Sequence, residues 1–162
     1  MKLEVIKAPK ADKAVMKQLL EYYCYDWSPY LDTDVNAHGA FDYPFLDPYW
    51  LEENRHPFFI KADGEYAGFA LVNQDFRALK DPQGHVMAEF FIMRRYRRHG
   101  IGEFAAKQVF ALFPGPWEVS QIMMNEGAVR FWDKVIKEYT DGNFETRPLE
   151  MDHLKRQIMV FG

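Results

Sequence analysis

Residues 94–102 read Arg-Arg-Tyr-Arg-Arg-His-Gly-Ile-Gly, so four arginines and a histidine run directly into two glycines. Glycine lets a backbone turn tightly and lets a ligand come close to it. The apolar run at residues 85–93 precedes this stretch, and a helical pattern opens at Ile101. A helix starting there points unsatisfied N–H groups and the positive end of its dipole back into the turn. The chemistry such a place suits is diphosphate binding, with backbone donors first and arginine charge second. It is not a Walker loop, because no Gly-Lys-Ser/Thr follows, and it lacks the Gly-x-Gly-x-x-Gly of dinucleotide folds.

These residues need elements to hold them. Residues 2–8 alternate apolar and polar positions as a half-buried strand does. Val15, Leu19, Tyr22 and Tyr23 set a first helix over 11–25, and Pro29, Gly39, Pro44 and Pro48 turn 28–50 into loop with short helical turns. Asp63-Gly64 is a turn dipeptide between two apolar runs, which predicts a hairpin. Residues 85–93 form the most apolar strand and belong at the centre of a sheet. Ile101, Phe104, Ala105, Val109 and Leu112 share one helix face, ended by Pro114-Gly115-Pro116. A strand at 117–122 then leads to Asn125, a good N-cap for a helix carrying Val129, Trp132, Val135 and Ile136. Two further strands are expected near 143–147 and 156–161, giving the order β-α-loop-β-β-β-α-β-α-β-β in a mixed α/β fold.

Composition narrows the class. The 162 residues suit a single domain spanning 1–162, and 48% hydrophobic with 27% charged residues argues against disorder. A net charge of −4 opposes a nucleic-acid partner, since that binding depends on many Lys and Arg contacts to phosphate. Cys24 is the lone cysteine, which excludes an internal disulfide and leaves nothing for a zinc cluster, so no metal is expected. No stretch approaches the length of a membrane span, and residues 1–13 lack a signal-peptide core, so a cytoplasmic protein without a membrane partner is expected. The sequence leaves self-association open, a homodimer included.

With those motifs in place, the segment at 90–102 resembles the acyl-CoA-binding motif of the GNAT superfamily of N-acyltransferases, Arg/Gln-x-x-Gly-x-Gly/Ala, through Arg97, Gly100 and Gly102. The family's second signature, Asn-x-x-Ala-x-x-Phe-Tyr, is similar to residues 125–132 through Asn125, Ala128 and Phe131. The resemblance implies a mixed sheet of about six to seven strands with flanking helices and central strands that splay. It implies acetyl-CoA as co-substrate, with backbone groups around Ile92 and Met93 on the pantetheine and thioester carbonyl. Backbone N–H groups from Arg97 through Arg98, His99, Gly100 and Ile101 to Gly102 would hold the pyrophosphate. Asn125 would reach the pantetheine and Phe131 would pack beside it.

Amide formation from a thioester needs a base for the attacking amine and a donor for the developing oxyanion. Family members often carry a glutamate on the strand before the loop, which makes Glu89 the candidate base. Its apolar neighbours Ala88 and Phe90 would desolvate it and raise its pKa. The family's frequent acid, a tyrosine, is replaced here by Trp132, whose indole N–H is far too weak an acid. Tyr139, two turns further along, is a weaker candidate acid whose alternative is a core aromatic.

Residues 21–54 contain no Lys or Arg, eight carboxylates and ten aromatic rings. Carboxylates among aromatic faces suit a cationic amine, and in this family the segment borders the acceptor. Asp26, Trp27 and Tyr30 are therefore candidate acceptor residues, against the alternative of a solvated acidic face over core aromatics. The expected activity is transfer of an acetyl group to the primary amine of a small, cationic acceptor in a ternary complex. A protein or peptide amine as acceptor, and a non-catalytic acyl-CoA sensor, are the competing readings.

Overall fold

Asp63 and Gly64 both take left-handed backbone angles, φ 52° and 84°, the signature of a tight hairpin turn. They join β2 (His56–Ala62) to β3 (Glu65–Asn73). The computed structural model describes residues 1–162. Its remaining elements are β1 (Leu3–Lys7), α1 (Lys13–Leu31), β4 (His85–Ile92), α2 (Ile101–Leu112), β5 (Trp117–Ile122), α3 (Glu126–Thr140), β6 (Phe144–Met151) and β7 (Leu154–Phe161). The seven strands form one mixed, open sheet in the order β1-β2-β3-β4-β5-β7-β6; the mixed sheet and the order of elements along the chain are those expected. β4 and β5 are its parallel neighbours, with a ladder from His85–Trp117 to Met87–Val119. β4 continues beyond that ladder to Ile92.

Two compact units divide the chain. The first comprises Met1–Leu71 with Glu89–Gly102. Its core gathers Met16, Leu19, Leu20 and Tyr23 of α1 with Phe59, Phe69, Leu71 and Phe91 of the strands. Tyr23 meets Phe69 and Phe91 edge-on at centroid distances of 5.5 and 5.7 Å. α1 runs further than its sequence suggests, because Pro29 lies inside it. The proline removes the N–H that would bond the Tyr25 carbonyl, and the Ser28 hydroxyl donates to that oxygen instead, at 2.8 Å. Asp32 in the left-handed region then ends the helix.

The second unit comprises Val72–Ala88 with Glu103–Gly162. Phe110 of α2 packs against Trp117, Trp132 and Phe161, at 4.9, 6.2 and 5.0 Å. β6 and β7 are longer than expected and form a hairpin around Asp152 and His153, both left-handed at φ 54° and 60°. Pro148 is tolerated in β6 because that strand is the sheet edge.

One buried charge in this unit organises a loop. Glu118 of β5 is 1% exposed. Its carboxylate accepts the backbone N–H groups of Arg77, Ala78 and Leu79 at 2.8, 3.0 and 2.8 Å. A glutamine there would keep one acceptor and turn its NH2 group toward amide donors. Glu118→Gln is therefore expected to destabilise the fold by about 2–4 kcal/mol, read from urea unfolding. A loss below about 0.5 kcal/mol would show that the loop is held by other contacts.

Candidate functional site

The loop after β4 has the backbone the sequence calls for. A 3-10 turn at Arg94–Tyr96 leads into extended Arg97. Arg98 and Gly100 then both take left-handed angles, φ 64° and 75°, and α2 starts at Ile101. Left-handed residues interleaved in a turn aim successive N–H groups into one concavity, an anion-binding nest. The first N–H groups of α2 have no intrahelical acceptor and add to it. Arg97 does not: its N–H donates to the Arg94 carbonyl at 3.2 Å. The donor run thus begins at Arg98, and Arg98, His99 and Gly100 are exposed to receive a ligand. A diphosphate fits this donor set.

Gly100 has open space where a Cβ would stand, so only its backbone angle requires glycine. Gly100→Ala is expected to cost about 1 kcal/mol of stability and to weaken binding of a diphosphate-bearing ligand such as acetyl-CoA at the nest by about tenfold. Calorimetric titration with acetyl-CoA checks it, and wild-type affinity in the variant would detach the loop conformation from cofactor binding.

The Arg97 side chain turns away from this nest. Its Nε donates to the Ile92 carbonyl at 2.7 Å and its Nη2 to Asp26 Oδ2 at 2.5 Å. The guanidinium also lies 5.5 Å from the centre of the Phe91 ring. Arg94 donates to the other oxygen of Asp26 at 2.8 Å. Partial burial pushes the Asp26 carboxyl up, but the hydrogen bonds from Arg97 and Arg94 outweigh it and hold the group below the ordinary carboxylate range. This corrects two expectations. The Arg97 side chain braces the end of β4, and Asp26 balances two arginines of the loop and does not stand open to an amine.

Met93 also differs from expectation, because its N–H donates to the Ala67 carbonyl at 2.8 Å. Met93 therefore closes β4 against β3, and its own N–H is taken. The same stretch shows a feature absent from the sequence reading. A Cβ on Gly68 of β3 would stand 2.0 Å from the Phe91 carbonyl oxygen. A lone glycine inside a strand is the signal that marks such close backbone approach.

Glu89 is half-buried on β4 and meets two tyrosines. The Tyr43 hydroxyl donates to Glu89 Oε1 at 3.2 Å, and the Tyr23 phenol lies close enough to feel the same carboxylate. Burial first, and then the Glu89 charge, push both phenols well above their ordinary value, so both stay neutral donors. Cys24, close by, is pushed up to about 11 by burial, Glu21 and Glu89, and remains a thiol. Neither tyrosine was among the residues picked out as catalytic from the sequence, since each lies far from Glu89 along the chain.

Trp132 is buried against Phe131 at a ring distance of 4.9 Å. Tyr139, proposed from sequence as an acid, packs on Phe110 and Phe161 at 5.2 and 6.2 Å. That is the setting of a packing aromatic at a helix end, and the tyrosines that meet Glu89 are Tyr23 and Tyr43. Asn125 caps α3, its side chain accepting the Ala128 N–H at 3.2 Å. Trp27 and Tyr30 stack edge-on along α1 at 6.0 Å, with Trp27 against the core.

The acidic segment keeps little free charge. Glu21 accepts two backbone N–H groups, Asp26 two arginines, and Asp42, Asp47 and Glu52 pair with Lys17, Lys13 and Arg55. Exposed Asp32, Asp34 and Glu53 remain beside exposed aromatics, with Tyr22, Tyr25 and Phe45 at 47%, 65% and 63%.

No protein of curated function matches the chain by sequence. Solved structures match its fold over nearly its whole length. A GNAT-family acetyltransferase from Streptococcus pneumoniae is 16% identical, with a TM-score of 0.59 and 98% of each chain covered. The ribosomal-protein-S18-alanine N-acetyltransferase of Escherichia coli is 12% identical, with a TM-score of 0.65, over 99% of this chain and 93% of that one. The aminoglycoside acetyltransferase AAC(6')-Ib, solved with coenzyme A and kanamycin, is 13% identical with a TM-score of 0.68, over 98% and 94%. The family model described as Acetyltransferase (GNAT) family matches residues 13–136. With that match spanning the β4 strand, its glycine loop and most of α3, the chain belongs to the GNAT acetyltransferase family.

Proposed function

We propose that the protein transfers the acetyl group of acetyl-CoA to the primary amine of a small molecule. One observation carries this reading: β4 presents Glu89, held by the Tyr43 hydroxyl with the neutral Tyr23 phenol beside it, and runs directly into a nest at Arg98–Gly100 suited to a diphosphate. Acetyl-CoA supplies an activated acyl thioester. The N–H groups from Arg98 to Gly102 hold its pyrophosphate, and the exposed Arg98 side chain adds charge there. The Ile92–Met93 segment lies along the pantetheine. Glu89 removes a proton from the attacking ammonium, directly or through water. The departing thiolate takes its proton from water, since Trp132 cannot give one.

The acceptor class follows from the acidic segment, with a changed emphasis. Most of its carboxylates already have partners, so preference for a cationic amine rests on cation–π contact with the exposed faces of Tyr22 and Tyr25. Among fold relatives, the aminoglycoside enzyme was solved with kanamycin, a small acceptor of that kind.

Coenzyme A release from acetyl-CoA over a panel of polyamines, aminoglycosides, anionic amino acids and free-N-terminus peptides tests this. Turnover is expected with the small cationic amines. Fastest turnover with peptides would assign a protein acceptor, and preference for anionic amino acids would sink the cationic reading. Acetyl-CoA binding with no turnover on any amine would leave a sensor.

A further inference from the structure

The contact between Tyr43 and Glu89 depends on a loop that α1 fixes in place. Glu21 of α1 accepts the Phe41 N–H at Oε2, 2.8 Å, and the Asp42 N–H at Oε1, 2.9 Å. Both of its oxygens are thus used on two consecutive amides. Asp42 sits at φ 55°, in the left-handed region uncommon for a non-glycine residue though tolerated by aspartate, so a modest constraint holds it there. Two charge-assisted hydrogen bonds supply that constraint. The Asp42 side chain itself makes only an exposed pair with Lys17 at 3.6 Å, which adds little. The next residue is Tyr43, whose half-buried ring packs on the α1 core and beside Phe45 at 5.8 Å, with its hydroxyl on Glu89 Oε1.

We propose that Tyr43 is a positioning residue for the Glu89 carboxylate and that Glu21 latches the loop which presents it. This deepens, and rests on, the reading of Glu89 as the base. Glu89 is faced by Tyr23 and Cys24 of α1 and by Tyr43 of the loop. All three are neutral side chains there, and what Tyr43 supplies to the carboxylate is a hydrogen bond. One phenol comes from a helix and the other from a loop pinned to that helix. Together they restrict the orientation of the carboxylate, and the Tyr43 hydrogen bond favours its charged form. Loss of the Tyr43 hydroxyl raises the proton affinity of Glu89, because a donor to the charged form is removed.

The test uses the full chain and two conservative variants, Tyr43→Phe and Glu21→Gln. Isotope-labelled glutamate carboxyl carbons are followed by NMR against pH, with the Glu89 signal assigned by its absence in Glu89→Gln. The Glu89 midpoint is expected to rise by about one pH unit in Tyr43→Phe, the equivalent of one charge-assisted hydrogen bond. Glu21→Gln is expected to move it in the same direction with Tyr43 still present. The acid limb of kcat/KM, measured with the best amine of the panel, should move with it, while acetyl-CoA affinity stays within about twofold. A midpoint unmoved in Tyr43→Phe overturns the positioning role, and one unmoved in Glu21→Gln overturns the latch. Should Glu89→Gln keep full kcat, the base reading falls, and the carboxyl titration still decides Tyr43 independently.

Discussion

Glu89→Gln is expected to lower kcat for acetyl transfer by about 10²–10⁴-fold, the range typical of losing a positioned general base. Glutamine keeps the shape of the side chain and can still accept from the Tyr43 hydroxyl, so the site should stay packed. It cannot take a proton. Neither neighbouring tyrosine can replace it, because burial and the Glu89 charge hold both phenols far above the range in which they would ionise. Cys24, pushed up to about 11, is no better a base. The Kd for acetyl-CoA should change by less than about twofold, since the loop donors are untouched, which separates a catalytic loss from a folding loss. A variant that retains wild-type kcat with unchanged acetyl-CoA affinity would remove Glu89 from the chemistry. Amine pre-deprotonated in bulk water would then be the reacting species, and the rate at lower pH should fall with the amine's own pKa.

What was legible in the sequence, and what was not, divides along contact range. The Asp63-Gly64 hairpin, the strand at 85–92 and the helices opening at Ile101 and after Asn125 were readable because their signals are local: turn chemistry, period and caps. The hairpin at Asp152-His153 has no glycine in its turn, so the sequence marks only part of its two strands. The extension of α1 past Pro29 was hidden because a neighbouring serine hydroxyl does the work of the missing N–H. The glycine loop is legible as a turn because glycine and position carry its signal, whereas the partner of the Arg97 side chain is not. Arg97 meets Asp26, 71 residues away, and no spacing rule shows that. The pairing within the acidic segment is hidden in the same manner. Its composition advertised unpaired charge, and folding supplied partners for Glu21, Asp26, Asp42, Asp47 and Glu52.

Gly68 is where the fold and the site meet, and substituting it should have the largest structural effect. Its backbone is not in the left-handed region, so conformational freedom is not the reason for glycine. The reason is contact: a Cβ would lie 2.0 Å from the Phe91 oxygen, 3.0 Å from its carbon and 3.1 Å from the Ile92 Cα. All three atoms are backbone and cannot swing aside as a flexible side chain would. Next to them, the Met93 N–H donates to Ala67, so the strands are tied just beyond the point of approach. Gly68→Ala must therefore push the Phe91–Met93 segment outward or break that bond, at a cost of about 3 kcal/mol. The displaced segment is also the one assigned to the thioester, and the Ile92 carbonyl is where Arg97 anchors. Acetyl-CoA affinity should consequently fall by about tenfold or more in whatever fraction remains folded, with the thermal midpoint lowered in parallel. Wild-type stability and affinity in Gly68→Ala would mean that β3 and β4 tolerate the side chain, and that the end of β4 is set by Arg97 and Asp26 alone.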